Sequence, residues 1–321
     1  MKILITGSNG YIGSTLGNFL KSKKKNILGI DKNINNKFLK FKQYQCNLID
    51  LKKTSSIFKK IKPDIVIHLA GESTIDNISK KKRYIENNIK VTKNILNILK
   101  KEKIQNIIFS STASVYKKTN KPIKENFIQK PNNIYGLTKL KAEKLITNYS
   151  NKNKLNFIIF RFFNVCSSIK NIGENHQPET HLIPICVQKF FEKKKLFIYG
   201  NDFKTSDGTC IRDYIHILDL CLAFEKGIKL FNKKKSHFII NLGTKKGLSV
   251  LQIVNFFNNK LNYKIVSRRK GDNDKLVCDN LLAKKILGWT PKNSNLKKII
   301  LDEISWYKYL KKIKMRRISK Y

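Results

Sequence analysis

"KILITGSNGYIGS", residues 2–14, runs from a β-branched apolar stretch through three glycines into an amphipathic segment. A strand, a glycine loop and a helix in that order form the turn that opens a dinucleotide-binding sheet. Gly7, Gly10 and Gly13 tolerate positive φ and let the backbone approach a pyrophosphate at the helix N-terminus. Their spacing is GxxGxxG, whereas the standard dinucleotide fingerprint is GxGxxG. A glycine-rich turn without a ligand is the alternative, and the strand–loop–helix setting argues against it.

Beyond this turn, apolar runs recur at 26–31 ("NILGID"), 64–70 ("DIVIHLA"), 106–111 ("NIIFSS") and 157–163 ("FIIFRFF"). Between them Ile85, Ile89, Thr92, Leu96 and Leu99 repeat at helical spacing, as do residues 140–149. Apolar strands separated by helices predict an α/β fold, a Rossmann-like doubly wound parallel sheet covered on both faces. From about residue 166 the pattern loosens into a long loop (169–184), then a strand at 237–243 and a helix at 249–261. The expected organisation is a nucleotide-binding domain over 1–165 and a smaller C-terminal α+β substrate domain over 166–321. Some segments of the second half are expected to return to the first.

The chain has 321 residues, 41% of them hydrophobic, and a formal charge of +44. That charge suits nucleic acid or an anionic surface. Here Lys is spread over nearly every segment, and no basic stripe interleaved with aromatics appears. No nucleic-acid partner is therefore expected, although the charge favours anionic small molecules. Six cysteines (46, 166, 186, 210, 221, 278) show no CxxC spacing, so neither a metal site nor a disulfide framework is expected. "MKILITG" is too short an apolar run for a signal peptide, and no run suggests a membrane span. A soluble cytoplasmic protein is expected.

"YGLTK" (135–139) places a tyrosine one helical turn before a lysine. At 100° per residue, Tyr135 shares a face with Thr138, Lys139, Ala142, Leu145, Ile146 and Tyr149. The apolar members must face the core, which argues against a solvated Lys139. An ammonium beside a phenol favours the phenolate and should lower the Tyr135 pKa toward neutrality. "FSSTASVY" (109–116) ends a strand at the sheet edge where ligands bind. Thr112 is placed there either to hydrogen-bond a substrate hydroxyl or merely to satisfy the strand end. Asp31, ending the second strand, is either a ribose-binding carboxylate that disfavours a 2′-phosphate, hence NAD, or a turn-forming Asp.

Together the glycine loop, the Ser/Thr strand end and YxxxK resemble the extended short-chain dehydrogenase/reductase family. "FRFFN" (160–164), "ENHQPETHLIP" (174–184), "YGNDFKTSDGTCIRDYIHILDL" (199–220), "NLGTKKGLSV" (241–250) and "RRKGD" (268–272) narrow the likeness to its UDP-glucose 4-epimerase branch. The resemblance implies hydride transfer from C4 of a UDP-sugar to tightly bound NAD, rotation of the 4-keto sugar, and return of the hydride to its other face. It implies Tyr135 as the base, Lys139 on the nicotinamide ribose and Thr112 on the proton path. Tyr11 and Ile12 would line the pyrophosphate loop, Asn47 and Leu48 would flank adenine, and Leu69, Ala70 and Asn88 would line the cofactor groove. The Phe163 backbone would lie near the nicotinamide. Asn164, Leu182, Arg212, Arg269 and Asp272 would bind the nucleotide sugar, the arginines as bidentate partners of the diphosphate. A homodimer, paired through the helices around 81–100 and 135–149, is implied as well.

Some residues depart from the family pattern. Asn47 replaces an Asp, and "ESTID" (72–76) replaces a segment that commonly carries a cofactor-binding Lys. That stretch looks more like the nucleotide-sugar 4,6-dehydratases, which place an Asp-Glu pair after the catalytic Thr. Here Ala113 and Ser114 follow Thr112, so elimination is not expected. His68 reads as a packed core residue, the role of His181 is open, and Leu276 falls at the pocket position tied to N-acetyl tolerance.

Overall fold

The computed structural model describes residues 1–36, 38–72, 81–176, 178–232, 236–269 and 271–318, with side chains as far as Ile313. In chain order the first elements are Lys2–Thr6 (β1), Tyr11–Ser22 (α1), Asn26–Asp31 (β2), Lys42–Gln45 (β3), Leu51–Ile61 (α2) and Ile65–His68 (β4). Lys81–Tyr84 (α3) continues through a π-helical stretch, Ile85–Lys90, into Val91–Lys101 (α4). Asn106–Thr112 (β5), Ile134–Lys152 (α5), Asn156–Phe162 (β6), Asn164–Cys166 (β7) and Leu182–Phe191 (α6) follow. The rest are Leu196–Tyr199 (β8), Ile211–His216 (β9), Ile217–Leu230 (α7), His237–Leu242 (β10), Gly247–Ser249 (β11), Val250–Asn255 (α8), Tyr263–Val266 (β12), Lys275–Leu276 (β13), Leu281–Leu287 (α9) and Leu296–Ile318 (α10).

Seven strands form one sheet in the order β10-β6-β5-β4-β1-β2-β3, every neighbour parallel. Side chains alternate across it. Ile3, Ile5, Ile65, Ile67, Ile108, Ile158 and Phe160 pack on one face with α1 and α7. Leu4, Val66, Ile107, Phe109 and Ile159 pack on the other with α2, α4 and α5. This period of two, apolar on both faces, is why these strands read as continuous hydrophobic runs. Each fully buried Ile or Phe contributes about 1.5–3 kcal/mol relative to exposure.

The seventh strand, β10, comes from the second half of the chain and pairs with β6, so the main sheet draws on both sides of residue 165. A smaller unit contains β9 flanked by β7, β11 and β13, together with the β8–β12 pair, around its own apolar core. Two features differ from the sequence expectation. β3 ("KQYQ") is a partly exposed edge strand whose polar pattern hid it. The helix expected over 249–261 stops at Asn255, because Asn258 and Asn259 take positive φ (48° and 59°), which Asn tolerates better than most residues. No helix among the described residues is long and apolar enough to cross a membrane.

Candidate active site

The C-terminal ends of β1, β2, β4 and β5 open on a cleft of about 670 Å³. Its floor is the glycine loop. Gly7 has φ +70°, and a Cβ there would lie 2.7 Å from the Ala70 nitrogen; a Cβ on Gly13 would lie 2.1 Å from the Gly7 oxygen. Any side chain at either position would force the loop away from its strand. α1 has Gly10 as N-cap and no side-chain cap, leaving first-turn N–H groups for an anionic ligand. Asp31 accepts from the Asn9 backbone N–H at 3.0 Å and lines the same cleft. The narrow glycine cradle, the uncapped helix and the carboxylate at the end of β2 fit a dinucleotide. Tyr11, Ile12, Asn47, Leu48, Leu69, Ala70, Phe163 and Asn164 also line the cleft.

At the other end of the cleft sit Thr112, Tyr135 and Lys139. Asn133 caps α5, its side chain accepting from the Gly136 N–H at 2.7 Å, which sets where Tyr135 enters the helix. The Tyr135 phenol is influenced by the Thr112 side chain, whose oxygen accepts from the Ser114 N–H at 3.1 Å. Farther along α5, buried Glu143 receives Arg161 from β6 at 3.0 and 2.6 Å and also the Ser111 hydroxyl of β5. This buried ion pair locks α5 onto the two strands.

The electrostatics run against the sequence expectation. Burial pushes the Tyr135 phenol up to about 12, and the Thr112 side chain pulls the other way. Burial lowers Lys139 to about 8, with Glu143 opposing. The Lys139 ammonium donates to the Ser110 carbonyl at 2.8 Å and sits 4.7 Å from the Phe109 ring centre. It is a buried cation solvated by a carbonyl and a ring face, and burial is the dominant influence on the Tyr135 phenol.

Asn88 stands behind the cleft wall. Its oxygen accepts from the Glu72 N–H at 2.8 Å and its amide donates to Thr138 at 3.0 Å, tying the loop after β4 to α5. Glu72 is the one described member of "ESTID"; residues 73–76 lie outside the described residues. Leu182, Arg212, Arg269 and Asp272 are not on this cleft's lining. Arg212 pairs with Asp272 at 3.5 Å, and the Arg269 guanidinium stacks 3.9 Å from the Tyr199 ring centre. Asn132, just before α5, donates to the Gly271 carbonyl at 3.3 Å, so this second group borders the Tyr135 end. Ser110, Arg83, Glu174 and His176 also line the cleft. None belongs to a recognisable spacing, and only the tertiary fold puts them there.

Residues 3–243 match the NAD dependent epimerase/dehydratase family. The UDP-glucose 4-epimerase of Halalkalibacterium halodurans is 33% identical over 320 residues, covering 96% of each chain. The crystal structure of the Brucella ovis UDP-glucose 4-epimerase in complex with NAD is 30% identical with a TM-score of 0.90, covering 94% of this chain and 97% of that one. The Bifidobacterium longum UDP-glucose 4-epimerase, solved with NAD+ and UDP, is 27% identical with a TM-score of 0.88, covering 96% and 98%. With a glycine cradle, a Tyr–Lys helix turn opening on the same cleft and near full-length likeness to these enzymes, the chain belongs to the NAD dependent epimerase/dehydratase family.

Proposed function

We propose that this chain is an NAD-dependent UDP-glucose 4-epimerase, interconverting UDP-galactose and UDP-glucose. The observation that carries this reading is the Thr112–Tyr135 hydroxyl pair with buried Lys139, opening on the same cleft as the glycine loop. NAD, when bound, supplies the hydride-accepting ring and a positive charge that offsets burial of a phenolate. Tyr135 takes and returns the 4-OH proton, and Thr112 hands that proton along or orients the hydroxyl. Lys139, held by Ser110, presents its remaining N–H donors to the cofactor ribose. Gly7, Gly10, Tyr11, Ile12 and Gly13 hold the pyrophosphate, and Asp31 the adenosine ribose. Asn47 and Leu48 flank the adenine; Leu69, Ala70 and Phe163 line the groove, and Asn88 supports it. Asn164, Leu182, Arg212, Arg269 and Asp272 receive the nucleotide sugar on the Tyr135 side.

Ala113 and Ser114 after Thr112 provide no acid–base pair for elimination, which favours epimerisation over dehydration. UDP-N-acetylhexosamines or UDP-pentoses are the second reading. Leu276, packed with Ala113, Val115 and Phe163, bears on sugar size. We assign the cofactor domain to 1–165 together with the returning segments 217–242 and 281–289, whose Ala283, Leu287 and Trp289 pack in the main-sheet core, and the nucleotide-sugar domain to the remainder. We also propose a homodimer through the helices at 81–101 and 134–152, where Ile85 (42%) and Leu137 (39%) are exposed. Free thiols at all six cysteines favour a cytoplasmic setting.

The test is conversion of UDP-galactose by purified protein without added reductant, beside UDP-N-acetylgalactosamine, with release of NAD on denaturation. Tyr135→Phe is expected to lose at least about 10²-fold in kcat. Wild-type turnover in that variant would remove Tyr135 as the base.

A further inference from the structure

In the loop between β7 and α6, four side chains converge. Glu174 Oε1 lies 2.6 Å from His176 Nδ1 and 3.2 Å from His181 Nδ1, and Glu179 Oε1 lies 2.9 Å from the same His181 nitrogen. One ligand atom from each of the four residues falls within 4.8 Å of all the others. A tetrahedral ion with bonds of ~2.0–2.2 Å holds its ligands roughly 3.4 Å apart, so small side-chain shifts complete the sphere.

A second observation points to a cation. Glu174 is 5% exposed and its Oε2 has no partner; Glu303 of α10, 3% exposed, also leaves Oε2 unpartnered, and burial first, then repulsion from Glu174 and Glu179, raises its carboxyl above the usual carboxylate range. Buried carboxylates without compensation are costly. The chain holds 66 Lys and Arg against 22 Asp and Glu. Yet among the described residues none of these three carboxylates pairs with Lys or Arg; the two histidines are the ion-pair partners of Glu174 and Glu179. The loop is also held in place: the Trp306 indole N–H donates to the Glu174 carbonyl at 2.6 Å.

We propose that Glu174, His176, Glu179 and His181 bind one divalent first-row transition-metal ion. Two imidazole nitrogens beside carboxylate oxygens suit Zn²⁺ and its neighbours, whereas Mg²⁺ and Ca²⁺ prefer oxygen alone. Cysteine spacing, by contrast, points to no metal site, and these ligands are His and Glu. Because Glu174, His176 and His181 also line the cleft, the ion braces the wall facing the glycine loop.

The test uses the tag-free full-length chain, stripped with a chelator and titrated with Zn²⁺ and, separately, with Co²⁺. The expected result is one equivalent per chain by elemental analysis, visible Co²⁺ ligand-field bands, and a raised Tm with Zn²⁺. Loss of even an outer-sphere partner costs about 10–100-fold in metal affinity, so His181→Ala and Glu179→Gln should each weaken binding at least about tenfold. His237→Ala, outside the cluster, should bind as wild type does. If an alanine variant fails to fold, His176→Gln is measured in its place. Substoichiometric binding by wild type, or equal affinity in the folded cluster variants, would overturn the proposal and leave protonated histidines as the counter-charge.

Discussion

Thr6 and Thr92 hold the two ring nitrogens of His68 at 2.8 and 3.2 Å. The Thr92 hydroxyl donates onward to the Asn88 carbonyl at 2.7 Å, which assigns the ring proton to Nε2 and leaves Nδ1 accepting from Thr6. Burial first, and Lys139 second, lower the His68 pKa to about 3. Above pH 6.5 the ring is neutral folded or unfolded. Below it the unfolded chain takes a proton that the folded chain refuses, so stability falls as pH drops from about 6.5 toward 3. This one site should cost about 2 kcal/mol on going from pH 7 to pH 5. His68→Gln is expected to remove that part of the slope in urea unfolding at the two pH values; equal slopes would contradict it. At this scale the sequence was informative about identity and weak on energetics. Helical spacing marked Lys139 as inward-facing, but nothing in "YGLTK" says that its ammonium turns to Ser110.

At the scale of elements, the helix from α3 through α4 is interrupted by the π-helical stretch Ile85–Lys90, which carries Asn88. Asn88 links the β4 loop to α5, so the stretch is positioned against the site. Apolar spacing at 85–99 revealed a helix but not its altered winding, which periodicity of apolar residues does not encode. Ile85 and Leu137 are exposed on the two helices assigned to the dimer. The double variant Ile85→Glu/Leu137→Glu should sediment as a monomer, with wild type sedimenting as a dimer. A wild-type monomer would end the four-helix-bundle proposal.

For the molecule as a whole, a charge of +44 surrounds a cleft that receives anions. The screening length shrinks from ~30 Å at 0.01 M salt to ~10 Å at 0.1 M, so long-range attraction is lost over that range. We expect kcat/KM for UDP-galactose to fall several-fold between low and moderate salt while kcat holds nearly constant; a parallel fall in kcat would mean that salt acts on the site itself. Local periodicity and glycine conformational freedom were enough to specify the parallel sheet, its glycine turn and the inward face of the Tyr–Lys helix. Contacts between distant segments govern the return of β10 to the main sheet, the Arg161–Glu143 lock and the gathering of Glu174, His176, Glu179 and His181. Burial also leaves Tyr135 less acidic than the neighbouring lysine suggests. Each of those depends on distances between segments remote in sequence and on how completely packing removes water from them.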